Sequence, residues 1–181
     1  METLSNKRKH LFISVKPEFA KKIIAKEKKI ELRKVKPHVK AGDYVIIYAS
    51  SPIKSVIGFG IVQQIIDASP EQMWKNYSSI LGIDKFRFDN YYIGKERSIG
   101  IKIKEIQQIA PIPLEVLRNV TPGFHPPQVY KYISNIDICR IVIDKRRKIL
   151  IHGNRNLIEQ GEDNKGKFYK VYYPGRKLKI Q

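Results

Sequence analysis

Hydrophobic positions fall in short runs rich in isoleucine and valine, broken at prolines and glycines, with one early segment at helical spacing. Leu11 to Val15 alternates too little to assign by period alone, but its β-branched content and the Lys16-Pro17 that follows predict a short buried strand. Pro17 suits a first helical position and Glu18 complements the positive start of a helix. Phe19, Ala20, Ile23 and Ile24 repeat on one face, while Lys21, Lys22 and Lys26 take the other. Ile30 and Leu32 then alternate with Lys29, Glu31 and Arg33, which predicts a strand with one buried side and one charged side.

Ala41-Gly42-Asp43 reads as a turn into a strand from Tyr44 to Ala49. Ser50-Ser51-Pro52 joins that strand to an apolar run from Val56 to Ile66, making a β-hairpin. Gly58 and Gly60 bracket Phe59 inside the run; they suggest a bulge or a close approach of backbone or ligand, with a barrel-corner bend as the simpler account. Ser69-Pro70-Glu71 caps a helix carrying Met73, Trp74 and Tyr77, and Ile83 to Tyr91 predicts another. Ser98 to Ile109 alternates as a strand of the main sheet, ended by Pro111 and Pro113. One helical turn follows over Pro113 to Leu117, then an ordered loop over Pro122 to Pro127. Strands are expected over Arg140 to Ile143, Lys148 to Ile151 and Phe168 to Tyr173. Asp144 to Arg147 forms a basic hairpin tip, and Gln160 to Lys167 a polar loop.

Composition narrows the functional classes. A chain of 181 residues with 42% apolar content suits one domain with an appendage rather than two domains. The single cysteine, Cys139, excludes an internal disulfide and any Cys-x-x-Cys zinc pair, which points to a reduced, cytoplasmic setting. The apolar runs are too short to span a bilayer, so no membrane partner is expected. The net charge of +18 is uneven: residues 1–40 hold 13 Lys or Arg against 4 acids, residues 140–181 hold 12 against 4, and the centre holds 10 against 9. Two basic flanks on a near-neutral body suit a polyanion, most commonly a phosphate backbone, whereas a uniform coding bias would not leave the centre balanced. His10, His38, His125 and His152 show no ligand spacing, so neither a metal nor a cofactor is expected. No P-loop, dinucleotide-binding glycine pattern or Gly-x-Ser-x-Gly elbow is present.

The densest chemistry lies in Lys26-Glu27-Lys28-Lys29-Ile30-Glu31-Leu32-Arg33, a cluster of charge on a strand directly after the first helix. This segment resembles the signature of the ASCH domains, a helix running into GxKxxExR. Lys28, Glu31 and Arg33 fall where the family's Lys, Glu and Arg fall. Lys26 stands in place of the leading Gly, a residue that supplies positive φ more readily than lysine does. The likeness covers roughly residues 10–134. Phe88 to Gly94 ahead of the Ile99 strand, and Pro126-Pro127-Gln128-Val129-Tyr130-Lys131-Tyr132, resemble further segments of longer ASCH proteins. The resemblance implies an α+β fold: a PUA-like mixed β-barrel of about six strands with peripheral helices and a cleft beside the first helix. The basic C-terminal β extension over residues 135–181, read from its apolar strands and its charge, has no counterpart in that resemblance. The resemblance also implies RNA or a modified nucleobase as ligand. Some members hydrolyse acylated cytidine, with Lys at the position of Lys28 and Thr at the position of Glu31, and some cleave RNA. That Thr is absent here.

Strict alternation sets Glu31 with Lys29 and Arg33; the meeting of Lys28, Glu31 and Arg33 in one pocket is implied by the resemblance. As a general base or nucleophile Lys28 would have to lose its proton near neutral pH. Lys26, Lys29 and Arg33 would favour that loss and an ionised Glu31 would oppose it. A plain surface ion-pair network is the competing account. Binding needs less: Arg33 and Lys28 would hold phosphate or a base edge, Glu31 would accept an exocyclic amine, and Tyr48 or Phe59 would stack on a base. The reading is therefore a nucleic-acid-binding module, RNA more than DNA. Lys16, Lys28, Lys29, Glu31, Arg33, Tyr48, Lys145, Arg146 and Arg147 are its candidate contacts. A hydrolase with Lys28 and Glu31 as catalytic residues is the alternative, and an adaptor whose basic ends meet an acidic protein is a third reading.

Overall fold

The computed structural model describes residues 8–133, with side chains at all but residue 120, and, beyond them, the backbone of residues 140–143, 149–153, 156–163, 166–173 and 176–180. The first region runs β1 (His10–Val15), α1 (Pro17–Ile24), β2 (Ile30–Arg33), β3 (Tyr44–Ala49), β4 (Ser55–Ala68), α2 (Pro70–Leu81), α3 (Lys85–Tyr92), β5 (Ser98–Pro113), α4 (Leu114–Val120) and β6 (Tyr130–Ile133). Its strands form one mixed sheet in the order β2-β5-β4-β3-β1-β6, curled into a half-barrel with helices around it, which is the α+β architecture anticipated. β1 and β3 pair in parallel, as the α1 crossover between them requires, and the other pairings are antiparallel.

Three apolar clusters hold this region together. α1 lays Ala20 and Ile23 on Leu11, Ile13, Val45, Ile47 and Ile101. α4 places Val116 and Leu117 beside Phe12, Tyr48 and Ile112. α2 and α3 bring Met73, Leu81, Phe88 and Tyr92 onto Ile30 and Leu32 of β2. Each helix is thus fixed by its apolar stripe, and α2 begins at a reciprocal Ser69/Gln72 capping box, as the Ser-Pro-Glu start predicts.

Several expectations need correction. β5 does not stop before Pro111 but runs to Pro113, with Ile112 paired to Val56 and Pro113 to Ser55. β2 is only four residues long and pairs with residues 99–102 of β5. Among the described strands the other side of β5 is then open at its far end, where prolines are tolerated. α4 is two turns rather than one, and the Pro-Pro-Gln segment leads into a strand, β6, paired with β1. Gly58 marks both a bulge and a close approach: a Cβ there would meet Ile24 Cδ1 and would lie 2.6 Å from the Gln107 carbonyl.

The C-terminal strands β7 (Arg140–Ile143), β8 (Ile149–Gly153), β9 (Asn156–Asp163), β10 (Gly166–Tyr173) and β11 (Arg176–Ile180) form an antiparallel meander in chain order. The expected polar loop from Gln160 to Lys167 is instead the facing ends of β9 and β10, with Gln160 opposite Tyr169 and Asp163 opposite Gly166. Polarity is no bar to an antiparallel strand, because one face of such a sheet can be solvated. Cys139 and the basic tip with Lys145, Arg146 and Arg147 lie outside the described residues. Among those described, no helix is long and apolar enough to cross a membrane.

Candidate functional site

Between α1 and β2 the chain must reverse within five residues. Ala25 and Lys26 close the helix end through their amides to the Lys21 and Ile23 carbonyls, and Lys26 adopts φ +64°. The left-handed conformation that the Gly of the signature would supply is therefore kept by a lysine. The Lys29 amide then donates to the Ile80 carbonyl, and the Lys29 carbonyl accepts from Ile103, which seats β2 between the end of α2 and β5.

The charged side of β2 is closed over. Lys28, Glu31 and Arg33 are 2%, 7% and 6% exposed, and all four residues of the strand are buried. Glu31 joins the two cations: Oε1 lies 3.1 Å from an Arg33 terminal nitrogen and Oε2 lies 3.6 Å from Lys28 Nζ. The three side chains thus meet as the resemblance implied and as alternation alone did not. Burial at this level excludes the solvated surface network, since exposed pairs of that kind carry little energy.

Each cation is anchored further. Lys28 Nζ donates to the Leu81 carbonyl at 2.7 Å and lies 5.3 Å from the centre of the Phe19 ring. The Arg33 guanidinium donates to the carbonyls of Ser14 (3.0 Å) and Val129 (3.2 Å), so one side chain of edge strand β2 reaches β1 and the residue leading into β6. Arg33 Nε is buried with no hydrogen-bond partner. The Ser14 hydroxyl donates to the Pro127 carbonyl at 2.6 Å, tying the Pro-Pro-Gln segment to the same place.

Electrostatics follow from this packing. Burial pushes the Lys28 ammonium below the usual lysine range; Glu31 opposes the shift, and Arg33 and Lys22 add to it. The cations acting on Lys28 are thus Arg33 and Lys22, where the sequence also suggested Lys26 and Lys29. Lys22 Nζ meanwhile donates to the Gly82 carbonyl at 3.0 Å.

Of the other candidates, Lys16 is exposed at the N-terminus of α1, and Lys29 is exposed on the outer side of the strand. Tyr48 is 3% exposed and packs on Phe12, with its phenol pushed up by burial. It belongs to the core and offers no ring to a base. Phe59 is buried as well. Besides Phe19, and Tyr92, whose hydroxyl donates to the Arg33 carbonyl at 3.0 Å, two tyrosines that sequence reasoning missed lie near the cluster: Tyr91 and Tyr130, both partly buried and both under the electrostatic influence of Arg33. Burial raises each phenol and the Arg33 charge opposes it. Lys34 Nζ sits 4.8 Å from the centre of the Tyr91 ring. Tyr91 and Tyr130 lie in the two segments whose likeness to longer ASCH proteins was visible, so the signal existed without a role attached. On the outer side of α1, Arg87 binds Glu18 through both terminal nitrogens (2.9 and 2.6 Å) and lies 4.9 Å from the Phe19 ring.

The ASCH domain family model matches residues 13–112. The chain is 30% identical over 135 residues to the ASCH domain-containing ribonuclease of Zymomonas mobilis, an alignment covering 75% of this chain and 91% of that protein. The crystal structure of ASCH from Zymomonas mobilis superimposes with a TM-score of 0.69 at 31% identity, covering 71% of this chain and 90% of the other. A Tyr-to-Phe mutant of the same protein gives 0.68 at 30% identity, covering 71% and 92%. Matched by the family model over more than half its length and by its fold, the chain belongs to the ASCH domain family.

Proposed function

We propose that this chain binds single-stranded RNA and reads one base at the Lys28, Glu31, Arg33 cluster. The observation that carries the reading is a carboxylate pinned between two buried cations beside two partly buried tyrosines. A carboxylate offers about four acceptor positions, and the contacts to Lys28 and Arg33 use one on each oxygen of Glu31. A base amine can take another. Arg33 Nε, a donor without a protein partner, supplies the complementary group for a base carbonyl. Tyr91 or Tyr130 provides the stacking surface, which typically contributes about 1 to 3 kcal/mol per base. Residues 10–134 would hold this site. Residues 135–181, with Lys145, Arg146 and Arg147, would form a separate basic extension that tracks the phosphate backbone and steepens the salt dependence.

A second reading is favoured by the Zymomonas relative, which is named a ribonuclease, and by the lowered proton affinity of Lys28. A neutral Lys28 amine would take the proton of a ribose 2′-hydroxyl as that oxygen attacks the adjacent phosphorus. The bond from phosphorus to the 5′-oxygen then breaks, and the proton held on Lys28, passed directly or through a water, goes to that oxygen, leaving a 2′,3′-cyclic phosphate, a 5′-hydroxyl and a neutral Lys28. Incubating end-labelled single-stranded RNA with the native protein, with Lys28→Met and with a variant neutralised at Lys145, Arg146 and Arg147 separates the two readings. Binding without product, weakened in Tyr91→Ala, supports the reader. Cyclic-phosphate product lost in Lys28→Met and kept in the flank variant selects cleavage. Absence of RNA affinity at low salt rejects both.

A further inference from the structure

On the outer side of β2 lies a cleft of about 290 Å³, lined by Lys26, Lys29, Lys104, Gln63, Glu105 and Ile103 among others. Lys28 turns into the buried cluster while its neighbour Lys29 turns into this cleft, so the two features flank one edge strand. Three lysines face one carboxylate here. Glu105 is taken by Lys104 at 3.2 Å, and among the described residues no acid pairs with the ammonium groups of Lys26 or Lys29.

The backbone around the cleft is irregular in a way that aims these side chains. Lys26 and Glu105 both adopt positive φ, +64° and +51°, and they are two of the three described non-glycine residues that do so. Between β4 and β5 the register skips twice at this place. Phe59 faces Gln107 and Ile61 faces Lys104, which leaves an extra residue on β5 at Glu105 and Ile106. Val62 faces Ile103 and Gln64 faces Lys102, which leaves an extra residue on β4 at Gln63. Bulges re-aim side chains and cluster beside functional sites, and backbone strain of this kind persists where the surroundings enforce it. Curling of the sheet accounts for the bulges; it does not account for the charge they gather.

We propose that this cleft is a phosphate-binding site for the backbone of the same RNA strand whose base enters the Lys28, Glu31, Arg33 cluster. The inference rests on the RNA reading above in its choice of ligand, though not in the chemistry of the site. Lys26 and Lys29 neutralise consecutive phosphates, Lys104 contributes once Glu105 is screened or displaced, and Gln63 donates a neutral hydrogen bond.

The test compares native protein with Lys26→Gln/Lys29→Gln/Lys104→Gln and with a control double variant, Lys75→Gln/Lys95→Gln, at exposed positions away from the cleft. Glutamine, one atom shorter than lysine, stays polar and carries the same φ penalty at position 26. Amide shifts of Lys26, Lys29 and Glu105 are followed on titration with inorganic tripolyphosphate, and RNA affinity is followed against salt. Each single-strand phosphate contact contributes about 0.7 to the logarithmic salt slope, so losing three lowers it by about 2. From about 50 to about 200 mM salt, native affinity then falls roughly 20-fold more than that of the triple variant. Glu105→Gln is expected to tighten RNA and tripolyphosphate together.

Saturable tripolyphosphate shifts at the cleft, lost in the triple variant, support the site even if RNA binding itself proves absent, an outcome that would reject only the RNA reading. Saturable shifts with an RNA salt slope unchanged in the triple variant overturn the RNA assignment of the cleft. Shifts that do not saturate, or a loss per charge equal to that of the control, overturn the site.

Discussion

Replacing Glu31 by glutamine is the most informative perturbation, because it removes one charge and leaves two buried cations facing each other. In the native protein the carboxylate lies 3.1 Å from Arg33 and 3.6 Å from Lys28, with both partners under a tenth exposed. Breaking a buried ion pair by deleting one member typically costs about 3 to 5 kcal/mol, since the remaining charge stays desolvated. Arg33 keeps the Ser14 and Val129 carbonyls and Lys28 keeps that of Leu81, so the low end, about 3 kcal/mol, is expected, roughly a hundredfold in the folding equilibrium.

The pH dependence has a definite sign. Lys28 already has its proton affinity lowered by burial, and Glu31 is what opposes that lowering. Without it the folded-state value falls further. The unfolded chain then binds one more proton than the folded one between the folded value and that of free lysine. Stability rises with pH across that window, and the penalty is full below it. Urea unfolding of Glu31→Gln and native protein at about pH 7 and about pH 9.5 therefore shows a gap that narrows in the alkaline arm. Asp89→Asn, which breaks the exposed pair with Lys85, serves as the control and leaves the midpoint nearly unmoved. A Glu31→Gln gap no larger than that control, or one independent of pH, would refute the buried-cluster account.

Two further predictions concern the frame around the site. Lys26→Gly restores the residue suited to φ +64° and should stabilise the fold by about 0.5 to 1 kcal/mol in the same urea assay; a loss of stability would mean that the turn is not strained. Gly58→Ala puts a methyl against Ile24 and the Gln107 carbonyl, and should cost about 1 to 3 kcal/mol while shifting the NMR signals of α1; a neutral outcome would show that α1 can move off the sheet freely.

Local rules carried the elements whose signals lie within a few residues. α1, α2 and the β3/β4 hairpin are announced by Pro17, by the Ser69 cap and by the Ser50-Ser51-Pro52 connection, and they form where those signals stand. β6 and the polar halves of β9 and β10 were illegible, because only strand pairing gives them their conformation. The site divides the same way. KEKKIELR marked the three charged residues, but alternation grouped Glu31 with Lys29 and Arg33 and said nothing of what covers them, whereas carbonyls from Ser14, Leu81 and Val129, all remote in sequence, enclose the cluster. Tyr48 shows the limit of reading an aromatic on a strand: nothing local to it says which face of the sheet α4 will cover. The outer lysine cleft was invisible for a related reason, since it depends on two register skips between β4 and β5.

The central claim, RNA recognition through the enclosed cluster, is tested most directly by equilibrium binding of mixed-sequence single-stranded RNA, double-stranded RNA and single-stranded DNA at matched salt. Native protein, Tyr91→Ala, Tyr130→Ala and Lys75→Gln/Lys95→Gln are run in parallel. The account predicts preference for single-stranded RNA and a loss in Tyr91→Ala or Tyr130→Ala that exceeds the effect of removing two remote charges. Equal affinity for all three polymers, with both tyrosine variants indistinguishable from native, would contradict it.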